Sequence, residues 1–223
     1  MTTVLIIAAI TIWLLCRPPR TEPGAGASAD ARARALRTPL VRLAGAVGIS
    51  TRAGRLADRS AAGAEGERRT ARRIAPLTSE GWVILHDRAL PRGKANVDHL
   101  AISPTGTVLL PDTKRWSAKW RLRVVNGRLL HGSLDVTNRL RGVRHEARIV
   151  QQALGVPVTP LVLMDGAPLE GGELAVDGIR IVPADRACAV LRGLGRVPGQ
   201  RRADDLANAA ERLLPPYTKV RRG

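Results

Sequence analysis

Phenylalanine is absent from this chain, and one tyrosine and four tryptophans make up its aromatic content. With so few flat rings there is little platform on which successive bases could stack, so stacking is not expected to dominate any binding of nucleic acid. Cysteine is scarce as well. Cys16 and Cys188 lie far apart, which excludes a disulfide framework and a cysteine-ligated zinc site. No Walker loop, Rossmann glycine pattern, HExxH or nucleophile elbow occurs, so no small-molecule cofactor is expected. Acidic residues number only 19 against 36 of Lys and Arg, a formal charge of +17. Such a surplus favours polyanions, nucleic acid first and anionic lipid second. Most of it is arginine, as a GC-rich genome alone would impose. Lysine occurs at four positions only, Lys94, Lys114, Lys119 and Lys219, which draws attention to each.

What is present divides the chain into four parts. Thr3 to Cys16 is an apolar run followed at once by ArgProProArg. A helix over residues 1–16 would be roughly 24 Å long, short of the roughly 30 Å hydrocarbon core yet tolerable with local thinning. The positive charge follows the run, which predicts a single-pass anchor with its N-terminus outside and the domain in the cytoplasm. A cleaved signal ending near Ala27-Ser28-Ala29 and a helix buried in a soluble cytoplasmic protein are the alternatives. Residues 17–50 mix Pro, Gly, Ala and Arg and read as a linker, with room for a short helix at Leu36 to Val47. Residues 51–165 hold the core elements, and residues 166–223 form a strand and helical extension packed on that core.

Within the core, Ser60 to Ala75 has helical spacing, with Ala64, Glu67, Ala71 and Ile74 on one stripe. Glu67 therefore turns toward the sheet, where an acid is unfavourable unless it meets a cation; a first-turn Glu favoured by the helix dipole is the plainer reading. Trp82 to Arg88 is a strand. Val97–Ser103 and Thr107–Thr113 flank Pro104-Thr105-Gly106, a three-residue hairpin loop that pairs Ser103 with Thr107. That register sets Ile102 opposite Val108, Leu100 opposite Leu110 and Asp98 opposite Asp112. Two facing carboxylates repel, and a divalent cation with oxygen ligands would offset the repulsion. Strand alternation puts Lys114 on the face of Asp112; a surface ion pair with the aspartates is the plain alternative.

Asn126-Gly127 predicts a further hairpin continuing the sheet. Val136 to Leu154 is the second strong helix, with Leu140, Val143, Ala147, Val150 and Leu154 facing inward. Arg141, His145, Arg148 and Gln152 form another row, either phosphate contacts beside a cleft or an exposed face. Val158 to Met164 reads as a buried parallel strand. His86 and His99 could be ligands or proton shuttles, or be satisfied within the fold, and Trp116 and Trp120 cover the sheet.

Taken in order, GlyAlaGluGlyGlu (Gly63 to Glu67), GlyTrpValIleLeuHisAsp from Gly81, AsnValAspHis, ProThrGlyThrVal and AspThrLysArgTrp resemble the nuclease-related domain, NERD, of the PD-(D/E)xK superfamily. The resemblance covers roughly residues 60 to 155. It implies acidic roles for Glu67, Asp98 and Asp112 and the lysine role for Lys114. The implied fold is α/β, a mixed sheet with a central antiparallel hairpin flanked by helices, to which the apolar run adds an N-terminal hydrophobic helix. The implied activity is Mg²⁺- or Mn²⁺-dependent hydrolysis of DNA, with Glu67, Asp98 and Asp112 holding the metal. A non-catalytic nucleic-acid-binding module and a membrane-bound interaction protein are the alternatives.

Overall fold

The structure, a computed structural model, describes residues 24–91 and 95–217. Three helices come first: α1 (Ala27–Leu36), α2 (Pro39–Ala46) and α3 (Arg52–Ile74). The segment expected as a linker is thus largely helical. α1 lies along α3 and buries Ala27 and Ala33. It escaped the sequence reading because it packs through alanine and glycine, which leave almost no apolar periodicity. α2 starts on a Thr38 cap with Pro39 in its first turn. Its Leu40 and Leu43, with Val47 and Ile49 just beyond, face solvent. The hydrophobic helix expected over residues 1–16 lies outside the described residues.

Six strands form the main sheet. β1 (Val83–Ala89), β2 (Asn96–Ile102) and β3 (Val108–Arg115) run antiparallel in turn. β7 (Val158–Asp165) then pairs parallel to β3, and β9 (Ile179–Pro183) parallel to β7, with β8 (Leu174–Val176) antiparallel on the outer edge. The intervening β4 (Leu122–Val125), β5 (Arg128–His131) and β6 (Leu134–Asp135) form a separate three-stranded sheet. This corrects the expectation of one continuous meander. The turn at Asn126-Gly127 is where the dipeptide predicts it, but Leu122, Leu129 and Val136 pack into the core beside the large sheet instead of extending it.

α4 (Arg141–Leu154) and α6 (Ala203–Leu213) cover one face of the main sheet, and α3 and α5 (Ala187–Leu194) cover the other. Alternation along the strands sorts the two cores. Leu100, Ile102, Val108 and Leu110 meet Val143, Val150 and Leu206. Ala101, Leu109, Leu161 and Leu163 meet Ile74, Val190 and Leu191. Each such fully buried leucine contributes about 1.5–3 kcal/mol by leaving water.

The central hairpin closes as its loop predicts. Ser103 N–H donates to the Thr107 carbonyl at 2.9 Å, and Gly106 N–H to the Ser103 carbonyl at 2.9 Å. Gly106 is left-handed at φ 84°, and a Cβ there would lie 2.0 Å from the Arg201 carbonyl oxygen, so only glycine fits. Ile102 pairs with Val108 as expected, but the β2–β3 ladder consists of that pair and Ala101–Leu109 alone. Pro111 has no N–H to give on β3. Asp98 and Asp112 therefore sit in the expected register but beyond the end of the ladder.

Candidate functional site

The site forms where β2 and β3 have stopped pairing. On β3, Asp112 is 5% exposed and Lys114 emerges on the same face two residues along. The ammonium donates to Asp112 Oδ1 at 2.9 Å and stands 2.7 Å from Oδ2, which has no hydrogen-bond donor of its own. Thr113, between them, points the other way. Its hydroxyl meets that of Thr70 on α3 at 2.6 Å and ties the helix to the strand. The inward stripe of α3 is Ala64, Glu67, Thr70 and Ile74, so Thr70 takes the place expected of Ala71. Glu67 is 8% exposed; the Gly26 backbone amide favours its charged form, and its Oε2 has no partner. Because β2 and β3 are unpaired at this level, Glu67 is near enough to feel Asp98 and Asp112 from the opposite side of the sheet. Asp98, half-buried on β2, joins Glu67 in lining a cleft of about 460 Å³ with Ser28, Arg32, Asn96 and Tyr217.

These groups hold one another far from their ordinary charge states. Burial, then Asp98 and Asp87, raises Glu67 to about 8. Burial, then Asp112, raises Asp98 to about 7. Asp112 is raised by burial, against the pull of Lys114. Burial disfavours the Lys114 ammonium, but Asp112, Asp98 and Glu146 together outweigh it and hold its pKa above the usual value. Glu67, and Asp98 in part, thus hold protons near neutrality unless more positive charge reaches them.

Two further acids belong to this cluster and went unnoticed in the sequence. Glu146 on α4 is raised to about 8 by burial and by Asp112 and Asp98. It is the only acid in Arg141–Leu154, and Gly142 one turn earlier leaves room beside its Oε1; that pairing is the signal that could have found it. Asp87 on β1 is 2% exposed, and its φ of 48° bends the strand. The row that did stand out, Arg141, His145, Arg148 and Gln152, is exposed, with Arg148 against His145 at 3.3 Å.

The donors, all carboxylates, are of the kind a hard cation such as Mg²⁺ or Mn²⁺ takes, and one buried oxygen, Glu67 Oε2, lacks a partner. As the side chains stand, no three His, Cys, Asp or Glu groups among the described residues close around one point. Lys114 instead supplies the positive charge at Asp112.

Residues 62–164 match the family model of the nuclease-related domain. This stretch is a nuclease-related domain. The family belongs to the PD-(D/E)xK-like nuclease superfamily, and Glu67, Asp98, Asp112, Lys114 and Glu146 all fall inside the matched stretch. No curated protein and no solved structure matches the chain. Gly26, Ser28, Arg32 and Tyr217, which border the acids, lie outside the nuclease-related domain.

Other residues singled out in the sequence have structural roles here. His86 and His99 are cross-strand neighbours with Nδ1 atoms 2.8 Å apart and perpendicular rings. Burial, then His86, pushes the wholly buried His99 down to about 3, so it stays neutral. Trp116 packs partly buried against the core under the Arg139 guanidinium, whereas Trp120 is 52% exposed. Cys188 is a free thiol hydrogen-bonded to the Arg73 carbonyl. Among the described residues no helix is long and apolar enough to cross a membrane.

Proposed function

We propose that the chain hydrolyses phosphodiester bonds of DNA with the help of Mg²⁺ or Mn²⁺. What supports this reading is the Lys114–Asp112 pair at the end of the β2–β3 ladder, with Asp98 and Glu67 lining the nearby cleft, all within the stretch that matches the nuclease-related domain. Asp98 and Asp112, with Glu67, are the residues that would hold the ion. When bound, the ion lowers the pKa of a water and neutralises charge on the phosphate. Lys114, already directed at Asp112, then has its ammonium free to orient the attacking water or meet the charge that develops on the phosphate. Asp112, ahead of Asp98 and Glu146, holds that ammonium in its charged form. Arginines of the strongly basic surface, Arg141 and Arg148 with His145 and Gln152 among the candidates, hold the phosphate backbone without reading sequence.

Tethering to a membrane through residues 1–16 fits the apolar run there. The outward Leu40, Leu43 and Val47, close in sequence to Arg42 and Arg52, suit a nearby lipid surface. The closed Lys114–Asp112 ion pair favours one other reading, a nuclease-related domain that binds nucleic acid without cutting it.

Plasmid nicking separates these readings. The full chain with Mg²⁺ is expected to convert supercoiled DNA to nicked circles. Asp112→Asn and Lys114→Ala are expected to lose at least about a hundredfold in rate while still melting cooperatively. Binding without nicking, in Mg²⁺ and in Mn²⁺, would leave the binding module; equal nicking by all three proteins would remove the site.

A further inference from the structure

The acids of the site are gripped from a part of the chain that the nuclease-related domain does not include. The Ser28 N–H, at the start of α1, donates to Asp87, and the Gly26 backbone amide beside it favours the charged form of Glu67. The Ser28 bond to Asp87 Oδ2 is 2.8 Å long. Asn96 Nδ2 completes the arrangement, donating to Asp87 Oδ1 at 2.9 Å and to Ser28 Oγ at 3.1 Å. The N–H groups of a helix's first turn have no partner within the helix and carry partial positive charge, so carboxylates suit them.

The placement of α1 is built in. Gly26 is left-handed at φ 79°, and a Cβ there would lie 2.7 Å from the Ala64 carbonyl oxygen, one turn from Glu67. Asp30 then pairs with Arg68 at 2.5 Å, next to Glu67 on α3. Asp87 is opposite Asp98 in the β1–β2 register, between His86–His99 and Arg88–Val97. Its positive φ turns it to Ser28, leaving Asp98 and the unpartnered Glu67 Oε2 beside the cleft.

We propose that the first turn of α1 positions the metal-binding acids: the Gly26 amide fixes Glu67, and the Ser28 amide, through Asp87, keeps the space beside Asp98 clear. Gly26, Ser28 and Asp87 are positioning residues. The inference rests on the metal-dependent reading above. It makes the start of α1 part of the site, not a passive linker.

Thermal melts of the full chain, with and without Mg²⁺, test it. The Mg²⁺ concentration that gives half the maximal rise in Tm is compared with the Mg²⁺ dependence of nicking. Ser28→Pro deletes one N–H in a helical turn that tolerates proline. It is expected to weaken Mg²⁺ about tenfold or more by both readouts, as loss of a supporting contact does, with little change in the metal-free Tm. Ser28→Ala keeps the N–H and is expected to restore most of that affinity. Gly26→Ala should weaken Mg²⁺ further; if it fails to fold, Ser28→Pro and Asp87→Asn decide. Wild-type Mg²⁺ midpoints in Ser28→Pro and Asp87→Asn would overturn the inference alone. A wild-type chain whose Tm ignores Mg²⁺ would overturn the metal-dependent reading and this inference with it.

Discussion

Glu67 offers the most direct physical test of a buried acid cluster. Its carboxyl is 8% exposed, and burial among Asp98 and Asp87 raises it from 4.5 to about 8. A carboxyl raised in this way holds its proton more tightly folded than unfolded. Its stabilising contribution is complete below about pH 4.5 and drains away as the pH climbs to about 8. Over that window the loss is on the order of 4 kcal/mol, and the interval from about pH 6 to about pH 8 carries roughly half of it. Asp98, raised to about 7, competes for the same protons, so the two titrate as a pair. In a domain of this size about 2 kcal/mol corresponds to roughly 4–8 °C in Tm. Glutamine at position 67 mimics the protonated acid and does not titrate. Melts followed by circular dichroism in a chelator should show the wild-type chain losing several degrees more than Glu67→Gln between the two pH values. Added Mg²⁺ should recover the wild-type loss at the higher pH and help the variant less. Parallel melting curves for the two proteins would refute the placement of Glu67 among the acids.

Glu146, raised to about 8, gains its charge only above neutrality, where it faces Asp112 and Asp98. Glu146→Gln cannot gain that charge, so it should lose less Tm than the wild-type chain as the pH rises from about 6 to about 8. An identical loss in both proteins would place Glu146 outside the buried acid cluster. Gly106→Ala forces a Cβ to within 2.0 Å of the Arg201 carbonyl oxygen at a left-handed φ. It should lower stability by about 2 kcal/mol or more in urea unfolding; a neutral result would mean that the hairpin tip and the start of α6 are not in contact.

Much of the site could be read because short-range rules govern it. A three-residue loop ending in Gly106 sets Ile102 against Val108, and strand alternation then puts Asp112 and Lys114 on one face. The helical spacing around Glu67 likewise turns it inward. What escaped depends on contacts between distant segments. Pro111 is legible in the sequence as a residue that gives no ladder N–H, but not how far from it the β2–β3 pairing stops. The hairpin at Asn126-Gly127 announces its turn but not the sheet it joins. α1 looks like linker because Gly26, Ala27 and Ala33 dock by closeness, not by large apolar side chains. Glu146 was hidden by the more conspicuous cationic row on its own helix.

The parallel pairing of β7 with β9 has a practical consequence. The matched stretch stops at residue 164, one residue before β7 ends, while β9, which shields the outer side of β7, begins at Ile179. A fragment trimmed to the matched stretch would bare the backbone donors and acceptors of a strand flanked by Leu161 and Leu163. Such an edge invites stacking of one copy upon another, so a minimal fragment of this kind is expected to precipitate where the full chain stays dispersed.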